Sequence, residues 1–381
     1  MAKPNTIQKN SPLLITGAFG FVGKNLTAQL QAEGYENLLL YDVASPAGTL
    51  ASYARQAEFV FHFAGVNRPQ NPADFYTGNT GLTEELLGLL RAAGNKAPVL
   101  LTSSAQAGNG TDYGSSKQAA EDAVFAHAAA GQSPVFVYRM PGLFGKWCRP
   151  AYNSVVATFC HNVARGLPIE VRDEGFTFPL CYIDDAISCF TAALLGRQEA
   201  PAPGAFCEIA PVYSVSLGRL AALLQSFKES RATLQLPDMG DEFCQKLFAT
   251  YLSYLPENEF AYPLQSNTDE RGSFTEFLRT PERGQVSINV AKPGIVKGNH
   301  WHNTKNEKFL VVKGEAVIRF RRVGTEQIFE YPVNGETLTV VDIPTGYTHN
   351  IENVGTGDLV TVMWASEPFN PARPDTYFEK V

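Results

Sequence analysis

From Leu13 onward the first half of the chain repeats one pattern: a short apolar run, a turn of small residues, then apolar residues at helical spacing. Leu13–Thr16 leads into Gly17-Ala-Phe-Gly20-Phe-Val-Gly23, and between Lys24 and Ala32 the leucines Leu26 and Leu30 stand four apart, on one helix face. Leu38–Asp42, Phe59–Gly65 and Pro98–Ser104 are further runs of the same kind, separated by helical patterns. Strands alternating with helices predict an α/β unit with a doubly wound parallel sheet and its ligand at the carboxyl ends of the strands. From Gln285 the period shortens to two: Val286–Val290, Ala316–Phe320 and Leu359–Trp364 alternate between Gly and Pro turns, which predicts an antiparallel all-β barrel. Between the two textures, Ala200–Gly204 reads as a surface loop, Leu217–Phe227 as one amphipathic helix, and Leu236–Pro263 as the junction. The expected domains are residues 1–252 and 253–381.

Composition narrows the partners. A chain of 381 residues with 44% apolar and 18% charged residues is long enough for two separate cores. A net charge of −7 with no basic stripe argues against nucleic acid or a membrane surface as partner, while leaving room for an anionic ligand held locally. The six cysteines form no CxxC pair, so reduced thiols are expected. The polar start through Asn10 lacks a signal-peptide core, and no apolar run reaches membrane-spanning length, so a cytoplasmic protein is expected.

The glycine turn after the first strand lets a backbone approach a pyrophosphate, whose charge then meets the N-terminus of the following helix. Asp42, at the end of the second strand, stands where an NAD ribose would be hydrogen-bonded, or is a plain turn residue. Tyr113 and Lys117 are four apart, on one helix face if Tyr113-Gly-Ser-Ser-Lys117 is helical, so that the ammonium can favour phenolate. Ser104 ends the preceding strand, with Ser103 as runner-up for its role. Over residues 13 to about 245 these features resemble the extended short-chain dehydrogenase/reductases, and so a Rossmann-type fold. The resemblance implies Ser104, Tyr113 and Lys117 as catalytic residues. It implies Gly17, Phe19, Gly20, Phe21, Val22, Gly23, Asp42, Ala64 and Gly65, with Tyr113 and Lys117, as cofactor contacts. Arg139–Gly145 and Tyr182–Asp185 match segments that surround a nucleotide-sugar site in that family; Asn79 and Asn153 stand where it often has a structural or substrate-contacting Asn.

In the second half, His300, His302 and Glu307 fall within one G(x)5HxH(x)4E(x)6G stretch from Gly294 to Gly314, and His349 follows in Pro344-Thr-Gly346-Tyr-Thr-His349-Asn-Ile-Glu-Asn353. On a strand His300 and His302 share a side, and a short turn can return Glu307 to meet them. Imidazole and carboxylate ligands leave Zn, Fe, Ni and Mn open. The two motifs resemble those of the cupin (jelly-roll) barrels. Asp269-Glu-Arg271-Gly-Ser-Phe274-Thr-Glu276 resembles a segment of nucleotide-diphospho-4-keto-6-deoxysugar epimerases, in which Arg and Glu hold the nucleotide-sugar and Phe packs beside it. That implies Arg271, Phe274, Glu276 and Lys297 as substrate contacts. The same alignment puts His300 on a general base, which conflicts with its place in the ligand set.

Reductase followed by cupin, in that order, resembles a family of bifunctional capsular-polysaccharide enzymes over essentially the whole chain, through strings such as Ala64-Gly-Val-Asn-Arg-Pro69, Thr250-Tyr-Leu-Ser-Tyr-Leu-Pro256 and Gly298-Asn-His-Trp-His302. The resemblance implies a zinc cupin that epimerises C3 of UDP-2-acetamido-2,6-dideoxy-β-L-arabino-hex-4-ulose. It implies NADPH-dependent reduction at C4 by the N-terminal domain, giving the β-L-talose sugar on the route to UDP-N-acetyl-L-fucosamine, by a homodimer. By charge alone Asp42 favours NADH, since it would repel a 2′-phosphate, with Arg55 or Arg68 available to compensate. A competing expectation keeps only the NAD(P)H-dependent 4-keto reductase and leaves the cupin as a non-catalytic, metal-stabilised dimerisation module.

Overall fold

Apolar runs bounded by glycine turns dictate the first unit. The computed structural model describes residues 7–202, 204–280 and 282–381; the first residues of the polar N-terminal stretch and Pro203 of the expected surface loop lie outside them. The chain divides into two compact units, Met1–Gln225 with Glu242–Leu255, and Ser226–Asp241 with Pro256–Val381.

In the first unit, β1 (Leu13–Thr16), α1 (Phe21–Ala32), β2 (Leu38–Tyr41), α2 (Thr49–Gln56) and β3 (Phe59–His62) come first. A short α3 (Ala73–Phe75) runs into one π-helical stretch, Tyr76–Gly81, before α4 (Leu82–Ala92), β4 (Val99–Ser104), α5 (Asp112–Ala129) and β5 (Val135–Met140). The five strands are parallel in the order β2-β1-β3-β4-β5. The chain therefore reverses its direction of travel across the sheet between β1 and β3, the point where such sheets open a ligand crevice. Neighbouring residues along each strand enter opposite cores. Leu13, Ile15, Phe59, Phe61, Phe136 and Tyr138 lie on one face, and Leu14, Val60, Val99, Leu101, Val135 and Val137 on the other. Helices cover both faces, which is why these strands read as unbroken apolar runs. A three-stranded sheet of β6 (Gly142–Phe144), β7 (Thr177–Tyr182) and β8 (Tyr213–Ser216) completes the unit, with α6 (Val155–Ala164), α7 (Ile183–Leu194) and α9 (Glu242–Leu252). The helix expected at Leu217–Phe227 is longer, α8 (Leu217–Thr233), and the stretch read as a junction contains α9, whose Phe243, Leu247 and Tyr251 are buried.

The second unit is a jelly-roll of two antiparallel sheets. One runs β16 (Val340–Ile343), β13 (Glu307–Lys313), β18 (Leu359–Ala365), β11 (Gly284–Ala291), β10 (Gly272–Thr280) and β9 (Ser266–Asp269). The other runs β15 (Ile328–Asn334), β14 (Glu315–Arg322), β17 (Tyr347–Asn353), β12 (Val296–Trp301) and β19 (Tyr377–Phe378). Its core is built from Phe309, Val311, Ile318, Phe320, Ile343 and Ile351. Among the described residues no helix is long and apolar enough to cross a membrane.

One tight joint of the first unit is glycine-made. A Cβ on Gly23 would lie 2.2 Å from the Gly17 carbonyl oxygen and 2.7 Å from Ala18, so α1 packs on the β1 turn only because no side chain intervenes. Gly23→Ala is expected to push α1 off that turn and destabilise the protein by about 1–3 kcal/mol, the usual cost of overpacking. A denaturant midpoint equal to that of the wild type would contradict this packing.

Candidate active site and metal centre

The first cluster forms where β1, β3 and β4 end. Gly17 has φ +66°, and a Cβ there would sit 2.7 Å from the Ala64 nitrogen, so the turn needs glycine both for its backbone angle and for the approach to β3. The α1 N-cap, Gly20, carries no side-chain cap, which leaves the first N–H groups of the helix for an anion. Phe21 and Val22 pack partly onto the core while Phe19 is exposed. Asp42 is engaged by the turn itself: its carboxylate accepts from the Phe19 N–H at 3.2 Å and the Val43 N–H at 2.7 Å.

Thr111 caps α5 by accepting the Gly114 N–H, and this start places Tyr113 and Lys117 one turn apart. Lys117 is buried, donates to the Thr102 carbonyl at 3.2 Å, and would lie 3.2 Å from a Cβ on Gly65. Burial lowers its pKa to about 8, with Glu121 acting the other way. For Tyr113, burial raises the phenol pKa and the Ser104 hydroxyl pulls it down. The Lys117 ammonium, one turn along α5 from Tyr113, is bonded to the β4 backbone. Ser103 donates its proton to Glu121, itself doubly bonded by Arg139 at 3.0 and 2.7 Å. Of the two serines, Ser104 is the one beside Tyr113. Asn79 is buried and ties Val66 to Ser116, whereas Asn153 is exposed.

The second cluster lies between the jelly-roll sheets. A bulge between Gly298 and His300, with Asn299 at φ +61°, re-aims β12 so that His300 pairs with His349 on β17. Candidate ligand atoms of His300, His302, Glu307 and His349 all lie within 4.8 Å of one another. Glu307 Oε2 is 3.4 Å from both His302 Nε2 and His349 Nε2, long for a hydrogen bond but the edge of a tetrahedron whose ligands stand about 2.1 Å from a central zinc. The Asp375 carbonyl can only accept, so His302 Nδ1 at 2.7 Å carries the proton and Nε2 keeps a free lone pair. His302 Nε2, Glu307 Oε2 and His349 Nε2 are buried without hydrogen-bond partners, an arrangement that a divalent metal fits and that is otherwise costly.

Of the expected substrate contacts, Phe274 and Glu276 on β10 stand opposite Asn289 and Ser287 on β11. Arg271 pairs with Asp269, and Glu276 with Arg279. Lys297 donates to Asn289 Oδ1 at 2.8 Å and the Val290 carbonyl at 2.9 Å. An open groove of about 680 Å³ lined by Phe320, Tyr331, Val341 and Tyr347, among others, contains none of these residues.

Residues 13–207 match the NAD dependent epimerase/dehydratase family. The chain belongs to that family. Residues 267–377 match the polysaccharide biosynthesis C-terminal domain. The chain is 42% identical over 365 residues to the UDP-2-acetamido-2,6-beta-L-arabino-hexul-4-ose reductase of Pseudomonas aeruginosa, covering 96% of this chain and 97% of that one. It is similar to the capsular polysaccharide assembling protein CapF from Staphylococcus aureus, with a TM-score of 0.90, 46% identity, and coverage of 97% of this chain and 100% of that one. A structure of CapF with the inhibitor 3-isopropenyl-tropolone matches with a TM-score of 0.86 and 44% identity over 97% of this chain and 100% of that one.

Three features of this epimerase/dehydratase family member escape sequence reasoning. The inward face of β11 is polar, with Gln285, Ser287 and Asn289 buried, although its alternation reads as an ordinary strand with polar residues outside. Asp375 touches the candidate ligand set from a segment with no motif of its own. His62, in the middle of an apolar strand, accepts from the Thr16 hydroxyl at Nδ1 and donates from Nε2 to Thr83, whose own hydroxyl donates to the Asn79 carbonyl. A histidine inside an otherwise apolar central strand is the signal for that last network.

Burial pushes the His62 imidazole down to about 3, and the Lys117 ammonium acts in the same direction. The unfolded imidazole takes its proton near 6.5, so below that pH the unfolded state binds more protons and stability falls until about 3. The denaturant midpoint is expected to fall as pH is lowered from about 7.5 to about 5.5, and to fall less steeply in His62→Gln, which is less stable at neutral pH. An equal slope in the variant would contradict the role given to this histidine.

Proposed function

We propose that this chain converts one UDP-linked 4-keto-6-deoxy amino sugar in two steps, epimerisation at C3 in the jelly-roll unit and reduction at C4 in the Rossmann-type unit. The reading is that of a cytoplasmic homodimer using NADPH. The observation that carries it is the presence of both clusters in one chain: Ser104 with Tyr113, and Lys117 close to Gly65, whose neighbour Ala64 meets Gly17; and His300, His302, Glu307 and His349 gathered around unpartnered lone pairs. The substrate follows from the Pseudomonas aeruginosa relative, whose name specifies the 4-ulose and its reduction.

The Gly17–Gly23 turn and the N-terminus of α1 would hold a nicotinamide dinucleotide, which would supply the hydride. Reduction also requires a proton on the new C4 oxygen, and a phenol whose pKa is raised by burial holds that proton at neutral pH, so Tyr113 acts as general acid. Ser104 orients the carbonyl oxygen. Lys117 keeps most of its charge at pH 7 and stabilises the phenolate left behind. NADPH follows the family resemblance, and the Asp42 carboxylate that favoured NADH is already held by two backbone N–H groups.

In the second unit, His300, His302, Glu307 and His349 would hold a divalent metal, zinc on this reading, that polarises the C4 carbonyl and so acidifies the C3 hydrogen. With His300 in the ligand set, it is not the free base. Phe274, Glu276, Arg271 and Lys297 would contact the nucleotide-sugar, the first two beside the polar wall of Ser287 and Asn289. For Arg271 and Glu276 this means exchanging the ion pairs to Asp269 and Arg279 for substrate. The same ion pairs are the one observation favouring the narrower reading, a 4-keto reductase with a non-catalytic jelly-roll. The relative inhibited by a tropolone fits the metal reading, because a tropolone offers a carbonyl and a hydroxyl on adjacent carbons, the pattern of a chelator.

Tyr113→Phe is expected to slow nicotinamide oxidation by about a hundred- to ten-thousandfold. His302→Ala is expected to leave nicotinamide oxidation but deliver a product with the C3 configuration unchanged, read from its proton couplings. A folded His302→Ala protein that still inverts C3 would assign epimerisation elsewhere.

A further inference from the structure

The peptide that follows the jelly-roll strands returns across the metal-ligand set. Asp375 takes part through two groups. Its backbone carbonyl accepts the His302 Nδ1–H at 2.7 Å. Its carboxylate accepts the Asn303 N–H at 3.0 Å and the Thr304 and Lys305 N–H groups, each at 2.9 Å, with the Thr304 hydroxyl at 3.1 Å. These amides belong to three of the four residues that link His302 to Glu307, so one side chain organises most of the connection, while Ser366 holds the fourth, Asn306. Asp375 holds φ +41°, a conformation that costs a non-glycine residue free energy and persists where surrounding bonds over-determine it.

The neighbours of Asp375 hold the same register. Lys305 Nζ donates to the Thr376 hydroxyl at 3.0 Å, and Tyr377 stacks on Trp301 with ring centroids 4.7 Å apart. β19 pairs Phe378 with His300 and Tyr377 with Trp301, and the Glu379 N–H reaches the carbonyl of the bulge residue Asn299 at 3.0 Å. Each link fixes the HxH segment from outside the two motifs that supply the ligands.

We propose that Asp375 is a positioning residue of the metal centre: it fixes the Nδ1–H tautomer of His302, so that Nε2 faces the metal, and it sets the turn that presents Glu307. The proposal rests on the metal reading given above. A bond to the distal nitrogen of a ligating histidine orients the ring and raises its basicity, and loss of such a partner typically weakens metal binding about 10- to 100-fold. Here that partner is a carbonyl, which mutation cannot remove, so the carboxylate that anchors it is the testable handle.

The experiment titrates full-length metal-free protein with Zn²⁺ and Co²⁺ against a competing chelator, and records the visible spectrum of the cobalt form. Asp375→Ala is expected to weaken metal binding about 10- to 100-fold and to alter the cobalt bands, because His302 loses its aim. Asp375→Asn keeps an acceptor and tolerates the same backbone angle, so it is expected to restore most of the affinity and the wild-type bands. Nitrogen-15 NMR of the histidine rings in the wild-type zinc form is expected to show His302 bound through Nε2 with a proton on Nδ1, a readout that needs no variant. Wild-type affinity and cobalt bands in Asp375→Ala would overturn the proposal, as would ligation through Nδ1 or equal losses in both variants with unchanged bands. Wild-type protein that takes up neither metal would overturn the metal reading itself, and this inference with it.

Discussion

A buried nitrogen donor must find an acceptor, and in both units the deciding nitrogen is aimed by a backbone carbonyl. Lys117 is turned to the Thr102 carbonyl at the end of β4, and His302 to the Asp375 carbonyl beside the jelly-roll. A carbonyl accepts only, so it fixes which atom carries the proton as well as where the side chain points. In the first unit the result is a partly deprotonatable ammonium, with a pKa lowered to about 8, held against Gly65. In the second it is an imidazole with its lone pair turned toward Glu307 and His349.

Much of this was legible in the chain because it rests on local rules. A glycine needed at φ +66°, two residues four apart on a helix, and candidate ligands spaced along two strand motifs all leave marks in adjacent positions. What was hidden depends on contacts distant in sequence. The spacing of Tyr113 and Lys117 says they share a face, but not that the lysine turns to β4 while burial raises the phenol. Ser103 and Ser104 could not be told apart until Glu121 and Arg139 were seen to claim the first. The alternation of Gln285–Asn289 gave the period of a strand without its sign, since a strand with a polar interior looks the same as one with a polar exterior. Asp375 had no local signal, because its role lies in three amides of a turn elsewhere in the chain.

The two proposed steps share one chemical constraint, the ketone at C4. While it is present the C3 hydrogen is acidic; once it is reduced the hydrogen is not, and the configuration at C3 is locked. Epimerisation must therefore precede reduction, and the jelly-roll unit must work without the nicotinamide that the other unit requires.

That independence is the central claim, and proton NMR tests it most directly: the UDP-linked 4-keto sugar is incubated in D₂O with the metal-loaded full-length protein and no nicotinamide. The account predicts that the C3 proton signal disappears as deuterium enters from solvent. A C3 signal that persists with folded, metal-loaded protein would contradict it, leaving a 4-keto reductase joined to a jelly-roll that does no chemistry.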